Sequence, residues 1–276
     1  MAAETKTILI TGSTSGVGRR VAERLAMPGN TILVHGRDRE RAQSLLRAIR
    51  EKGATATFYA ADFASLDDVR RMAEGVRGDC SRLDVLINNA GIGVAGAYPG
   101  RCESRDGLEL RSAVNYLSGF LLTRLLLPLL RAGGAARIVN VASLGQQAID
   151  FADVMLTRGY SGRRAYCQSK LAQILFTFDL AEELKGAGVT VNALHPATYM
   201  DTPMVRGDGV SPVSSVDEGA DAILNLAVSP GVEGRTGLFF DGLQPSRANS
   251  QAYDANARAR LRALSFKLTG LAQETA

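Results

Sequence analysis

The sequence of 276 residues has no tryptophan, two histidines, three cysteines and eight prolines. Without Trp and without aromatic residues interleaved among basic ones, it lacks the stacking platforms of a nucleic-acid binder. Its net charge of +4 comes from arginines spread along helix-like stretches, such as Arg37, Arg39 and Arg41 or Arg258, Arg260 and Arg262, and these read as solvated helix faces. Two histidines, His35 and His195, are too few for a histidine-rich metal site. Cys80, Cys102 and Cys167 lie far apart with no CxxC spacing, which excludes a disulfide framework or a zinc site and suits a reducing compartment. No long apolar run is present: the richest, Phe120 to Leu130, contains Arg124 and Pro128 and is too short to span a bilayer. The start, Met1 to Lys6, is polar and unlike a signal peptide. The expectation is a cytoplasmic globular chain.

What is abundant is glycine, 29 residues where roughly 19 would be ordinary at about 7%. Apolar residues make up 46% and charged residues 22%, the range of a packed soluble domain. Short runs rich in Ile, Val and Leu alternate with longer segments of helical period. Strands are expected at Thr7 to Ile10, Thr31 to Val34, Thr57 to Ala60, Val85 to Asn88, Arg137 to Val141, Val189 to Leu194 and Gly237 to Phe240. Between them Val17, Val21 and Leu25, or Leu171, Leu175 and Phe178, form stripes that can lie on a sheet. The pattern is α/β: a single domain with a doubly wound, seven-stranded parallel sheet and helices on both faces.

The first strand is followed by Thr11-Gly12-Ser13-Thr14-Ser15-Gly16-Val17-Gly18 and then a helical pattern. Glycines so placed allow φ > 0 and let backbone amides at a helix N-terminus approach a pyrophosphate. A plain glycine-rich turn would look alike in isolation; the strand before and the helix behind supply the context that a phosphate site needs. In a dinucleotide site, a carboxylate about 20 residues past the glycines binds the ribose 2′-OH of NAD, whereas an arginine accommodates the 2′-phosphate of NADP. Here the second strand ends His35-Gly36-Arg37-Asp38. Arg37 is the first charge, which favours NADP(H) over NAD(H), with Asp38 as the competitor and a solvated arginine as the plainer reading.

Tyr166 and Lys170 are four apart at the start of a helical stretch and so share one face. A phenol, with a reference pKa near ~10, works as an acid or base at neutral pH only where a positive charge favours its ionised form. Lys170 can supply that charge, although such a pair alone is usually just two surface neighbours. Ser143 follows the strand Arg137 to Val141 at the carboxyl end, where open α/β sheets bind ligands, and Asn88-Asn89-Ala90-Gly91 ends the fourth strand in the same way.

Taken together and in this order, Thr11-Gly12-xxx-Gly16-x-Gly18, Asn88-Asn89-Ala90-Gly91, Asn115, Ser143 and Tyr166-xxx-Lys170 resemble the short-chain dehydrogenase/reductase family from about Lys6 to the C-terminus. The resemblance implies a Rossmann-type fold and carbonyl–alcohol interconversion by a nicotinamide cofactor, which Arg37 favours as NADP(H). It implies Tyr166 as general acid, Lys170 lowering its pKa and holding the nicotinamide ribose, Ser143 polarising the carbonyl and Asn115 supporting a proton relay. The loop from Gly12 to Gly18 would hold the pyrophosphate, Asp62 and Phe63 the adenine, and Asn89, Ala90 and Gly91 the adjoining ribose.

Within the family, Val114 to Thr123 and Ala165 to Thr177 resemble the branch of the retinol dehydrogenases and the WW-domain oxidoreductases. So does the gap of 22 residues between Ser143 and Tyr166. That insert, 144–165, and a second segment, 198–216, are expected to line the substrate mouth. Membrane-bound members of the branch carry an apolar N-terminal anchor, which is not expected here. After the sixth strand the chain reads His195-Pro196-Ala197-Thr198-Tyr199-Met200-Asp201-Thr202 where the family usually has Pro-Gly and then threonine. Thr202 or Thr198 is then the candidate for the carboxamide contact, and His195 a loop-positioning residue. Met204, Val205, Pro212 and Val213 suggest an apolar small-molecule substrate. Leu121, Leu122, Leu125 and Leu126 exceed what one sheet face needs, and the family uses such helices as interfaces, so a homodimer or homotetramer is expected. An NADP(H)-binding sensor or scaffold without turnover, and an epimerase with internal redox, are the competing readings.

Overall fold

In the computed structural model, which describes residues 5–272, strands form where β-branched and leucine side chains run uninterrupted. They are β1 (Thr7–Ile10), β2 (Thr31–Gly36), β3 (Thr55–Ala60), β4 (Val85–Asn88), β5 (Ala136–Val141), β6 (Val189–His195), β7 (Leu238–Asp241) and β8 (Gln244–Ser246). The polar start read at Met1 to Glu4 lies outside the described residues. The sheet order is β3-β2-β1-β4-β5-β6-β7-β8, with β1 to β7 parallel and β8 antiparallel to β7. The eighth strand corrects the expected seven. It is three exposed residues in a hairpin return, Gln244-Pro245-Ser246, with no apolar run to announce it.

Side chains alternate across each strand, so both sheet faces need covering. Ile8, Ile10, Ile32 and Val34 pack with α1 (Gly16–Leu25), α2 (Arg39–Glu51) and α8 (Val216–Val228). Leu9 and Leu33 point the other way, toward α3 (Leu66–Asp79), α5 (Ser118–Ala132), α6 (Gly162–Glu183) and α9 (Ala255–Thr269). The chain reverses its strand order between β1 and β4, and this switch point opens a crevice at their carboxyl ends.

The apolar stretch before β5 is longer than its composition suggested. A short α4 (Leu110–Ser112), a π-helical turn (Ala113–Leu117) and α5 run on as 23 helical residues, whose most apolar stretch of 18 has a mean hydropathy of 1.5, enough by length to cross a bilayer. Burial, not shortness, accounts for it: Leu121, Leu122 and Leu126 are fully enclosed and Leu125 is half-buried. The ring of Phe266 from α9 meets Phe120 at 5.4 Å. Leu121, Leu122 and Leu126 therefore face the chain's own core, and of the four leucines Leu125 alone is partly open.

Candidate active site

The glycine loop is built around the ends of β1, β2 and β4. Gly12 and Gly16 adopt φ of +63° and +55°, which an L side chain rarely does. Gly18 has a different reason to be glycine: a Cβ there would lie 2.4 Å from the Asn89 side-chain nitrogen and 2.6 Å from the Gly12 carbonyl oxygen. The Thr11 hydroxyl accepts from the amides of Asn89 and Ala90 at 2.9 and 3.0 Å, and the Asn89 amide donates to the carbonyls of Thr11 and Gly12. Asn89 thus braces the loop with its side chain. Ser13 is fully buried, donating to Ile10 and accepting from the His35 amide, and Val17 belongs to the core. Ser15 opens α1 without a side-chain cap, and no acidic residue occupies that helix's first turn. Its terminal amides and dipole face the crevice beside Thr14, a cradle that fits a pyrophosphate.

His35 holds this loop, a role its sequence position did not reveal. Its Nδ1 accepts from the Gly12 amide at 3.0 Å and its Nε2 donates to the Ala61 carbonyl at 3.1 Å, which fixes a neutral tautomer. Burial lowers its pKa to about 4. The ring stacks on Phe63 at 4.3 Å, so Phe63 turns inward as its support. Asp62 accepts from the Ala64 amide at the mouth of β3.

Across the crevice, Ser143, Tyr166 and Lys170 converge at the end of β5. Burial pushes the Tyr166 phenol's pKa up and the neighbouring Ser143 hydroxyl opposes that rise; a Cβ on Gly145 would lie 3.4 Å from Ser143 Oγ and 3.6 Å from the Tyr166 ring. Ser143 Oγ also accepts from the Gly145 amide at 3.0 Å. Lys170 is buried; its Nζ donates to Val141 O at 2.8 Å and Gln173 Oε1 at 3.1 Å, and sits 5.7 Å from the Tyr166 ring centre. Burial brings its pKa down to about 7. Asn115 lies in the π-helical turn, an element that often marks functional positions. Its Oδ1 accepts from the Ile92 amide at 2.8 Å and its Nδ2 donates to Ser169 Oγ at 3.0 Å. Gly91 lies between the two: a Cβ there would be 3.2 Å from Asn115 Oδ1 and 3.7 Å from Lys170 Nζ.

A family model described as short chain dehydrogenase matches residues 6–209. The chain belongs to the short-chain dehydrogenase family. Human retinol dehydrogenase 13 is 37% identical, over 96% of this chain and 85% of that protein, and human retinol dehydrogenase 12 is 34% identical over 98% and 88%. Among solved structures, an uncharacterized protein from Mycobacterium paratuberculosis matches with a TM-score of 0.78 at 32% identity, over 96% of this chain and 94% of that one. The RhlG/NADP active-site complex from Pseudomonas aeruginosa matches with a TM-score of 0.68 at 27% identity, over 86% and 94%. As a short-chain dehydrogenase of the retinol-dehydrogenase-like branch, the chain is an NAD(P)-dependent enzyme that acts on alcohol or carbonyl groups.

The short-chain dehydrogenase frame also locates where this chain is unusual. Ala197 keeps an ordinary negative φ; the loop after β6 takes its left-handed turn at Tyr199, with φ +44°. Thr198 is exposed, and its hydroxyl is tied to His195 Nε2 at 3.1 Å, so His195 positions the loop. Thr202 is buried, caps α7 (Pro203–Gly207), and stands against Gly16, where a Cβ would come within 3.3 Å of its methyl group. Of the two threonines, only Thr202 is brought to the glycine loop. At the end of β2, Asp38 caps α2 by accepting from Glu40 and Arg41 amides. Its carboxylate is thereby engaged by the helix, while exposed Arg37 makes no ion pair among the described residues.

Proposed function

We propose that this enzyme uses NADP(H) in preference to NAD(H) to interconvert a carbonyl and an alcohol on an apolar small molecule, with Tyr166 as the general acid and base. The observation that carries the reading is the convergence of Ser143 and Tyr166, both against Gly145, beside the buried Lys170. A bound nicotinamide supplies the hydride. Ser143 and Tyr166 hold the carbonyl oxygen, and the Tyr166 hydroxyl passes its proton to that oxygen as the alcohol forms. The Lys170 ammonium stabilises the phenolate left behind, and donors already in place need no reorganisation as charge develops. Asn115 keeps the start of the loop after β4 against this group.

The use of Asp38 as a helix cap supports the phosphate role of Arg37. Exposed Leu144, Tyr199, Met204, Val213 and Leu243, on the insert, the lid segment and the turn after β7, support an apolar substrate. The names of the retinol dehydrogenase relatives point the same way, toward an apolar alcohol or aldehyde. Three free cysteines suit a reducing, cytoplasmic setting. The proposed homodimer or homotetramer would use a surface other than the buried leucines of α5; a single 29.3 kDa species in sedimentation would retire it.

The test is reduced-nicotinamide absorbance with NADPH and NADH in turn, against a panel of apolar aldehydes and ketones. Oxidation of NADPH at a lower Michaelis constant than NADH is the expected result. Tight NADPH binding with no consumption across the panel would sink the reading in favour of a sensor or an internal-redox enzyme.

A further inference from the structure

The loop that follows Gly91 is gripped from both sides by opposite charges. From the lid segment, the carboxylate of Asp208 accepts from the amides of Val94 and Ala95 at 2.8 and 2.7 Å. From beneath, Arg111 donates to the carbonyls of Gly93 and Val94 at 2.8 and 2.6 Å. The same two peptide units, 93–94 and 94–95, therefore have their N–H groups on an anion and their C=O groups on a cation. Each bond polarises the peptide it touches and strengthens the other. Arg111 is fully buried and further committed to the Tyr98 carbonyl and the Tyr160 hydroxyl, which in turn donates to Glu109. Three segments that border the crevice meet here: the loop after β4, the insert containing Tyr160, and the lid segment containing Asp208.

The fit is specific in shape as well as charge. A Cβ on Gly93 would lie 2.2 Å from Asp208 Oδ2, so the loop accepts the carboxylate only because that residue is glycine. By contrast α7, which precedes Asp208, contains no buried residue and is held mainly by its own cap and by the exposed Arg206–Asp201 ion pair. The seat is tied down by a fully buried arginine and the lid side is lightly held, which is the arrangement of a latch and its seat.

We propose that Asp208 is a positioning residue that latches the lid segment 198–216 over the substrate mouth, and that Arg111 preforms the seat it closes on. Opening and closing exchange two charge-assisted hydrogen bonds for water, a step that admits substrate and releases product. Burial is the main cause that raises the Tyr166 pKa and the Asp208 carboxylate adds to it, so the latched state favours the protonated acid. The inference takes the reductase reading as its setting, but the latch itself can be read without turnover.

Arg206 is exposed on α7, two residues from Asp208, and offers a tryptic site within the lid. With full-length protein and NADPH present, cleavage after Arg206, followed by fragment mass, should be about tenfold faster in Asp208→Ala, the scale set by losing charged hydrogen bonds. Cleavage elsewhere should keep its wild-type rate, and Asp208→Glu should restore much of the protection. Gly93→Ala displaces the carboxylate without altering either charge, and should give the same accelerated cleavage if Asp208→Ala does not fold. In turnover assays Asp208→Ala should raise KM for the carbonyl more than it lowers kcat. Wild-type cleavage rates after Arg206 in the folded variants would overturn the latch. Absence of turnover in the wild type, with protection after Arg206 intact, would count against the reductase reading alone.

Discussion

At the scale of single residues, chemistry here is set by burial. His35 is neutral in the fold because no water reaches it and both ring nitrogens have fixed partners, with its pKa down at about 4. The unfolded chain takes up this proton near pH ~6.5, the reference value for histidine. As pH falls from there toward 4, the unfolded state gains a proton that the folded state refuses, and stability drops. Urea unfolding from pH 7 to pH 4 should show a shallower loss in His35→Asn than in the wild type; parallel curves would contradict the assignment. Lys170 titrates near 7 for the same reason, burial. The reduction rate should accordingly fall as pH rises through about 7, where the ammonium beside Tyr166 is lost. Tyr166→Phe should lower kcat by roughly 10²–10⁴-fold, the usual worth of a positioned acid, while NADPH affinity measured by fluorescence titration stays near wild type. Arg37→Ala should raise KM for NADPH about tenfold, the scale of one lost charged hydrogen bond, and leave KM for NADH unchanged.

At the scale of elements, the two inserted segments and the long helical run behave differently from their composition. The two non-glycine residues with positive φ among those described, Leu156 and Tyr199, fall one in each inserted segment bordering the mouth. Conformations of this kind persist where surrounding contacts impose them, and they gather at functional loops. The run from Leu110 to Ala132 looks like a membrane helix or an interface by hydropathy, yet it is enclosed by the sheet on one side and by α9 on the other. Phe120 is the centre of that packing, with Phe176 at 5.1 Å and Phe266 at 5.4 Å. Phe120→Ala should cost about 3–5 kcal/mol in chemical denaturation, the price of a large cavity in a closed core.

At the scale of the whole molecule, the sheet order does the gathering. Reversal between β1 and β4 brings the glycine loop, the Asn88–Gly91 turn and the Ser143 strand end to one crevice, although they are separated by up to 131 positions from Gly12 to Ser143. Seven strands of the eight were legible in the sequence because a parallel strand buried on both faces must be apolar along its whole length. β8 was not, since Gln244-Pro245-Ser246 is exposed and is defined only by its pairing with β7. The ends of β3 and β6 ran one or two residues past their apolar cores for a similar reason: Thr55 and His195 pair by backbone, which side-chain pattern does not report.

The sequence by itself determined the layered α/β plan, the position of the glycine loop and the placing of Tyr166 and Lys170 on one helix face, because local backbone chemistry and the 2.0 and 3.6 periodicities are written residue by residue. Only the tertiary structure decided that Asn89 and Phe63 turn inward as supports, that His35 carries the glycine loop, that Thr202 reaches Gly16 and that Asp208 meets the loop over Arg111. These depend on which side chains face each other in the folded chain, 23 positions apart for His35 and Gly12 and 114 for Asp208 and Val94, whereas the local periodicities report only neighbours a few residues away.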